Sequence, residues 1–392
     1  MVSGFYSNVT RNNSVVVPHY QLWESSAFAQ DDWHVLKDLT INLGVRYDVY
    51  SPFTEENNHL SNFNPNLTST ANAILQAGVG GVSRSAGIAT DFSNVSPRVG
   101  FAYTLLPKTV IRGGSAISFF PGNFASPANL KNQPNIAIYG GNCNALITAR
   151  SSATANSCAV GYNYFADGLP IAAAASATNP AGSIPAAESL NFRSSYLYQM
   201  NLAVQQEVMN NTLTVAYVGN LGHHMPDQVI DINRIDLSVP AAQRARRYAA
   251  LLPQVSTIQQ NMSDGYSKYQ SLQVSLERRF NKGLGYNVNF THAHNLDNIR
   301  SISGGGGGLS QVLATKHIDD YGNSDLDQRN RAVEAINYTL PGQSLNGIRA
   351  LIAKGGRQTC STPGAMACRI TRSTEATYPA PARTAMLIVQ TR

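Results

Sequence analysis

The chain has 392 residues, of which 13 % are charged and 43 % hydrophobic, with 31 glycines, 18 tyrosines and 13 phenylalanines. That charge density is about half of a usual soluble surface, and no run of eighteen or more apolar residues is present, which argues against a spanning helix and leaves spanning strands open. Beyond Ser344 seven Lys or Arg stand against Glu375 alone, and the rest is balanced at 22 of each sign, so the formal charge of +6 gives the body no basic field for nucleic acid.

In chain order, Met1-Val2-Ser3-Gly4 lacks both the basic and the apolar segment of a secretory leader, so an exported protein would have its true beginning upstream. A mixed polar/apolar pattern with Leu22, Phe28 and Trp33 predicts a strand over 22–33, followed by a turn around 35–38. The clearest strand comes next. Leu39, Ile41, Leu43, Val45, Tyr47 and Val49 share one side, and Thr40, Asn42, Gly44, Arg46 and Asp48 the other. Arg46 and Asp48 can pair there, with a charged solvent face as the plain alternative. Residues 52–95 read as a long loop rich in Asn, Ser, Thr and Gly. Strands are expected over 97–104 and 110–119, joined by Leu106-Pro107-Lys108; Gly113 and Gly114 mark a bend, a bulge or close backbone approach.

Residues 120–195, with six prolines, read as an irregular excursion, including the small-residue run 171–177. Tyr198, Met200, Leu202 and Val204 then alternate with Gln199, Asn201, Ala203 and Gln205, a turn follows at Met209-Asn210-Asn211, and Leu213, Val215 and Tyr217 return. His223-His224 read as an exposed loop pair, and 240–252 as a weakly amphipathic helix carrying Arg244, Arg246 and Arg247. Leu272, Val274 and Leu276 alternate with Gln273, Ser275 and Glu277; after Asn281-Lys282-Gly283, Tyr286, Val288 and Phe290 alternate with Asn287, Asn289 and Thr291. The polar sides of these ribbons carry mainly amides and hydroxyls, which suits a strand with lipid or a dry layer on one side and water on the other.

The glycine run 304–308 is followed by no Gly-Lys-Ser/Thr, so it is no phosphate loop. Asp319-Asp320 and Asp325-Leu326-Asp327 lack the helix-flanked calcium pattern. Residues 330–340 give one more ribbon. Cys143 and Cys158 sit in a loop-like region and can close it in an oxidising compartment; neither they nor Cys360 and Cys368 show zinc spacing. After Gly355 the period is lost, and 356–392 read as an atypical tail, disordered or out of frame. No nucleophile elbow or other catalytic grouping is visible, so no enzyme, cofactor or metal is expected.

Several stretches together resemble the barrel of TonB-dependent outer-membrane receptors, and within them the Oar-like group that carries an N-terminal carboxypeptidase-regulatory-like domain. They are Phe28-Ala29-Gln30-Asp31-Asp32-Trp33, residues 39–47, 96–103, 108–114 and 199–207, Tyr217-Val218-Gly219, residues 269–273, Glu277-Arg278-Arg279-Phe280, residues 290–294, and Asp325-Leu326-Asp327-Gln328-Arg329. The resemblance covers roughly 20–355 and lacks the plug domain, the TonB box and the regulatory domain. It implies an all-β internal slice of a transmembrane antiparallel β-barrel: residues 1–19 as an uncertain edge, 20–355 as partial barrel, 356–392 as tail. It implies outer-membrane lipid as surroundings, a plug domain and the TonB complex as partners through parts outside this chain, and a ligand that the residues do not identify. Apolar sides would face lipid. Asn42, Arg46, Asp48, Gln273, Ser275 and Glu277 would line the lumen. Excursions 52–95, 121–195 and 221–265 would be extracellular, and the turns near Lys37, Pro107, Asn210 and Lys282 periplasmic. Tyr47, Phe101, Tyr103, Tyr217 and Tyr286 are the aromatic-belt candidates, with ordinary cross-strand packing as the alternative. The rival reading is a secreted β-sandwich that binds or adheres.

Overall fold

A strand that is apolar on one side only needs neighbours in the same phase, and the computed structural model supplies them. It describes residues 8–14, 17–121, 130–132, 134–142, 176–229, 231–235, 240–299, 321–339, 356–363 and 367–372. In chain order the strands are β1 (Asn8–Ser14), β2 (Tyr20–Gln21), β3 (Glu24–Leu36), β4 (Leu39–Tyr50), β5 (Thr54–Glu55), β6 (Ser61–Phe63), β7 (Ile74–Gln76), β8 (Val95–Leu106), β9 (Thr109–Phe120) and β10 (Ile136–Asn142). They continue as β11 (Gly182–Glu188), β12 (Ser195–Val208), β13 (Asn211–Val229), β14 (Val255–Asn281), β15 (Leu284–Asp297), β16 (Gly322–Asn323), β17 (Asn330–Thr339), β18 (Gly356–Pro363) and β19 (Ala367–Arg372). One sheet runs in the order β19-β18-β17-β15-β14-β13-β12-β9-β8-β4-β3, antiparallel throughout this path, with both ends open among the described residues.

The register shows that the separately read faces are one face. Thr40, Ala102, Arg112, Ala203, Ala216, Gln273 and Thr291 are successive direct partners across seven strands. One residue along, Ile41, Phe101, Gly113, Leu202, Tyr217 and Leu272 form the matching row on the other side, which reaches β15 at His292. Direct partners in a ladder point the same way. The sheet therefore has a polar face and an apolar face over its whole central width. The apolar face is uncovered: Leu202 is 50 % exposed, Leu272 49 % and Val99 48 %. Among the described residues no second sheet packs on it, whereas a β-sandwich buries such a face. Wall strands of 12 to 14 residues exceed the roughly 9–11 that a tilted strand needs to cross hydrocarbon. No described helix is long and apolar enough to cross a membrane, which bears only on helices.

The short turns fall where expected, tightened to two residues each at Lys37-Asp38, Pro107-Lys108, Met209-Asn210 and Lys282-Gly283. Met209 (φ 57°) and Lys282 (φ 50°) take the left-handed backbone that such reversals require. Several expectations are corrected. The excursion expected over 221–265 is shorter, because β13 runs to Val229 and β14 starts at Val255, so the weak alternation beyond Gly219 is strand. His223 and His224 accordingly lie in β13 and not in a loop. The helix expected over 240–252 is a single 3-10 turn, Ala241–Gln243. Pro240 and Pro253 bracket too short a span, and Arg246 donates to the carbonyls of Val255 and Ser256 at 2.9 and 3.2 Å, which ties the segment back onto β14. The excursion after Phe120 holds β10 and β11, and the tail after Gly355 holds β18 and β19, where Cys360 and Cys368 are direct partners. The glycine run, Asp319-Asp320, Cys143 and Cys158 lie outside the described residues.

The apolar core lies in the excursions. Phe63, Ile74, Ile184, Ile232, Tyr248, Leu252, Val255 and Ile258 form one buried cluster, and Leu60, Ala86, Ile88, Leu130 and Phe192 another. They make a cap at the long-loop end. β11 joins it to the wall by pairing in parallel with the upper part of β14. Two asparagines substitute for strand neighbours. The Asn62 amide donates to the Glu188 carbonyl and accepts from the Glu188 N–H, both at 2.9 Å, and Asn132 does the same with Ala186 at 3.0 and 2.9 Å. Buried backbone groups that no ladder reaches are thereby satisfied.

Glu55 pins the first excursion. Its buried carboxylate accepts the backbone N–H groups of His19, Asn57 and His59 at 3.1, 2.8 and 2.8 Å. Burial alone would push this carboxyl up, but the three N–H donors and the His59 ring outweigh it and hold it below its ordinary value of 4.5. A carboxyl lowered by folding lends stability above its unfolded pKa and loses it as pH falls through the folded one. Protection of the Asn57 and His59 amides from exchange, taken relative to the unprotected rate at the same pH, is expected to fall below about pH 4.5. In Glu55→Gln that protection should be low already at neutral pH and change little with acidification.

Candidate functional site

The polar face under the cap is where side chains of chemical interest converge. Because alternation sends Asn42, Arg46 and Asp48 to one side of β4, and Gln273, Ser275 and Glu277 to the same side of β14, all six candidates share this face. They do not form one cluster, since four strands lie between β4 and β14. Asn42 donates to Asp32 on β3 at 2.6 Å. Gln273 donates to Ser271 at 3.2 Å. Arg46 Nε meets both Asp48 oxygens, at 2.8 and 3.1 Å, and Asp48 is only 3 % exposed. The sequence-level pairing of Arg46 with Asp48 is thus what folds.

Around that pair the face opens into a cavity of about 260 Å³ lined by Arg46, Asp48, Tyr50, Ser96, Arg98 and Ser118. Two of these were not legible from their own strand. Ser96 opposes Arg46 and Arg98 opposes Gly44 in the β4–β8 ladder. Gly44 is the seat for Arg98: a Cβ at this position would lie 2.8 Å from Arg98 Cγ and 2.9 Å from Cδ. The bare backbone lets the arginine stem lie flat across β4. A much smaller recess of about 20 Å³, enough for one water, adjoins Tyr50 and is bounded by Asp91, Glu188 and Ser194. Burial pushes the Glu188 carboxyl well up, and its Oε1 has no hydrogen-bond partner. At the other end of the polar face, between the short turns, Lys108, Gln205, Glu207, Thr212 and Arg279 line a groove of about 450 Å³.

The apolar face has its own arrangement. Tyr47, Phe101, Tyr103, Tyr217 and Tyr286 all fall on it, but at different heights, so they form no single belt. Phe101 lies over Gly113, where a Cβ would come within 2.5 Å of its ring, and Tyr286 donates to Asn211 at 2.6 Å. The rings that touch form another row at the cap end. Phe119 meets Tyr196 (5.5 Å between centroids), Tyr196 stacks on His223 (5.0 Å), His223 meets Tyr266 (5.0 Å) and Tyr266 meets Tyr321 (5.8 Å). Sequence alone hides this row because the glycines at 219 and 222 weaken the alternation before His223; extending the β13 alternation by three pairs reaches it.

The Asp325-Leu326-Asp327-Gln328-Arg329 stretch is a latch and not a ligand set. Asp327 accepts the Asn295 N–H at 2.7 Å and pairs with Arg329 at 2.8 Å, which fixes the entry of β17 beside β15. Among the described residues no three His, Cys, Asp or Glu side chains come together to hold a metal.

A family model described as "Outer membrane beta barrel domain" matches residues 1–355. No curated protein sequence matches the chain. Among solved structures it is similar to the outer membrane transporter YddB from Escherichia coli, at 13 % identity over 90 % of this chain and 35 % of that one, with a TM-score of 0.44. It is also similar to the siderophore receptor PirA from Pseudomonas aeruginosa (9 %, 88 %, 39 %, 0.40) and to the ferripyoverdine receptor of the outer membrane of Pseudomonas aeruginosa (9 %, 88 %, 28 %, 0.41). The chain spans between 28 % and 39 % of the length of these three structures.

Proposed function

The chain belongs to the outer membrane beta barrel domain family, and from that premise we propose that it forms part of the wall of a TonB-dependent outer-membrane receptor or transporter, of the Oar-like group. The observation that carries this is the uncovered apolar row Ile41, Phe101, Leu202, Tyr217 and Leu272, matched one residue along by the polar row. A water-facing protein would lose the stability of burying such a row; a protein in lipid needs it exposed. The ring row from Phe119 to Tyr321 then marks the outer interface, where amphipathic rings settle between hydrocarbon and headgroups. In this reading the cap is extracellular, the two-residue turns are periplasmic, and the polar face lines the lumen. A plug domain and the TonB complex are the partners it calls for. The chain itself supplies a passage wall and a ligand-facing cap.

Cysteine labelling tests the orientation. Single cysteines at Leu202 and Leu272 are expected to react with a lipid-phase reagent and resist a water-soluble one in intact outer membranes. Cysteines at Asn201 and Ser275 should do the reverse. Uniform labelling of all four by the water-soluble reagent would remove the barrel reading.

A further inference from the structure

We propose that the cavity between β4, β8 and β9 is a binding subsite for an oxyanionic group, a carboxylate or a phosphate, carried by the ligand; the assignment rests on the lumen-facing reading of the polar face. Four features of the cavity point the same way. Arg46 is held in place by the nearly buried Asp48 at 2.8 Å, so its guanidinium is oriented before anything arrives. Arg98 has no hydrogen-bond or ion-pair partner among the described residues, and its stem is seated on the bare backbone of Gly44. Ser96 Oγ belongs to a residue only 3 % exposed, lines the same cavity and has no hydrogen-bond partner. The cavity, at about 260 Å³, has room for a small charged group and a few further atoms.

The charge balance decides the ligand's sign. Asp48 offsets Arg46, and Arg98 leaves one positive charge over. A planar guanidinium fork matches the paired oxygens of carboxylate and phosphate. A buried hydroxyl without a partner is costly to leave so, and an arriving anion accepts from it. A neutral ligand would leave Arg98 unmatched, and a cation would meet it head on.

The test titrates the full chain, purified from outer membranes in detergent, with inorganic phosphate and separately with malonate, followed by calorimetry; glycerol serves as the neutral control. Saturable binding of at least one anion is expected, and which of the two binds more tightly tells the phosphate from the carboxylate source. Arg98→Gln should weaken it by about tenfold or more and Ser96→Ala by about two- to fivefold, with Arg98→Lys falling between wild type and Arg98→Gln. Lys37→Gln, a charge removed at the far end of β4, should change nothing. Heat-dependent gel migration shows whether each variant is folded; if Arg98→Gln is not, Arg98→Lys and Ser96→Ala decide. No saturable binding of either anion, or equal affinities across the Arg98 and Ser96 variants, would overturn the subsite. Membrane labelling tests the barrel and anion titration tests the subsite, so either can fail alone.

Discussion

Leu202→Arg is expected to destabilise the wall by about 2–4 kcal/mol, the range for arginine at the midplane of a lipid-facing barrel strand. Leu202 stands in the middle of β12, flanked in its row by Gly113 and Tyr217, and it is half exposed with no protein over it. In water such a site would accept arginine at almost no cost, because nothing there is buried. In hydrocarbon the guanidinium must be dragged toward an interface or be solvated by a defect. The adjacent Asn201 faces the other way, opposite Gly114 on one side and Val218 on the other. On the barrel reading proposed above, Asn201→Arg is therefore expected to cost less than about 1 kcal/mol, since a water-lined face with Gly114 opposite leaves room for the new charge. Urea titration of the full chain in phospholipid vesicles measures both. Equal costs for the two neighbours would mean that the two faces do not see different solvents.

Phe63→Ala is expected to loosen the cap by about 3–5 kcal/mol, the usual range for removing a fully buried aromatic side chain. Phe63 is wholly buried and meets the Tyr248 ring edge-on at 5.1 Å, so the substitution removes a contact between two excursions as well as apolar area. It also sits beside Asn62, whose carbonyl oxygen accepts both the Phe63 and the Glu188 N–H at 2.8 and 2.9 Å. Movement of β6 should therefore release β11. Amide exchange in β6, β7 and β11 is expected to speed up by roughly a hundredfold to a few thousandfold, the equivalent of that free energy. The wall should keep its heat-dependent gel migration, because its ladders do not depend on this core. Loss of wall and cap together would show that the two are one cooperative unit.

Much of the wall was legible because a strand's faces are set by its own backbone. From Leu39 to Val49, and from Leu272 to Glu277, the period of two assigns each side chain to a side with no knowledge of neighbours. The two-residue turns were legible for the same reason. Reading failed where the local pattern weakened while pairing continued. The upper parts of β13 and β14 alternate poorly because they leave the uncovered part of the sheet for the cap, where β11 and the buried clusters pack against them. The span 240–252 looked helical from its alanines, yet Arg246 bonded to β14 outweighs a propensity that is marginal over so few residues.

Of the candidate site, Arg46, Asp48 and their bond could be expected, since residues two apart on a strand share a face. Arg98, Ser96 and the role of Gly44 could not, because the sequence interval between β4 and β8 contains a whole excursion and says nothing about which residue stands opposite which. The amino-acid sequence by itself determined that this protein is built from strands with one greasy and one wet side, since alternation is a property of each strand alone. Only the tertiary structure decided that those sides align into one uncovered face, that the core lies in the cap, and that two arginines and a hydroxyl meet over a glycine. Register and long-range packing are relations between distant segments, and their free energy exists only once the chain has brought those segments together.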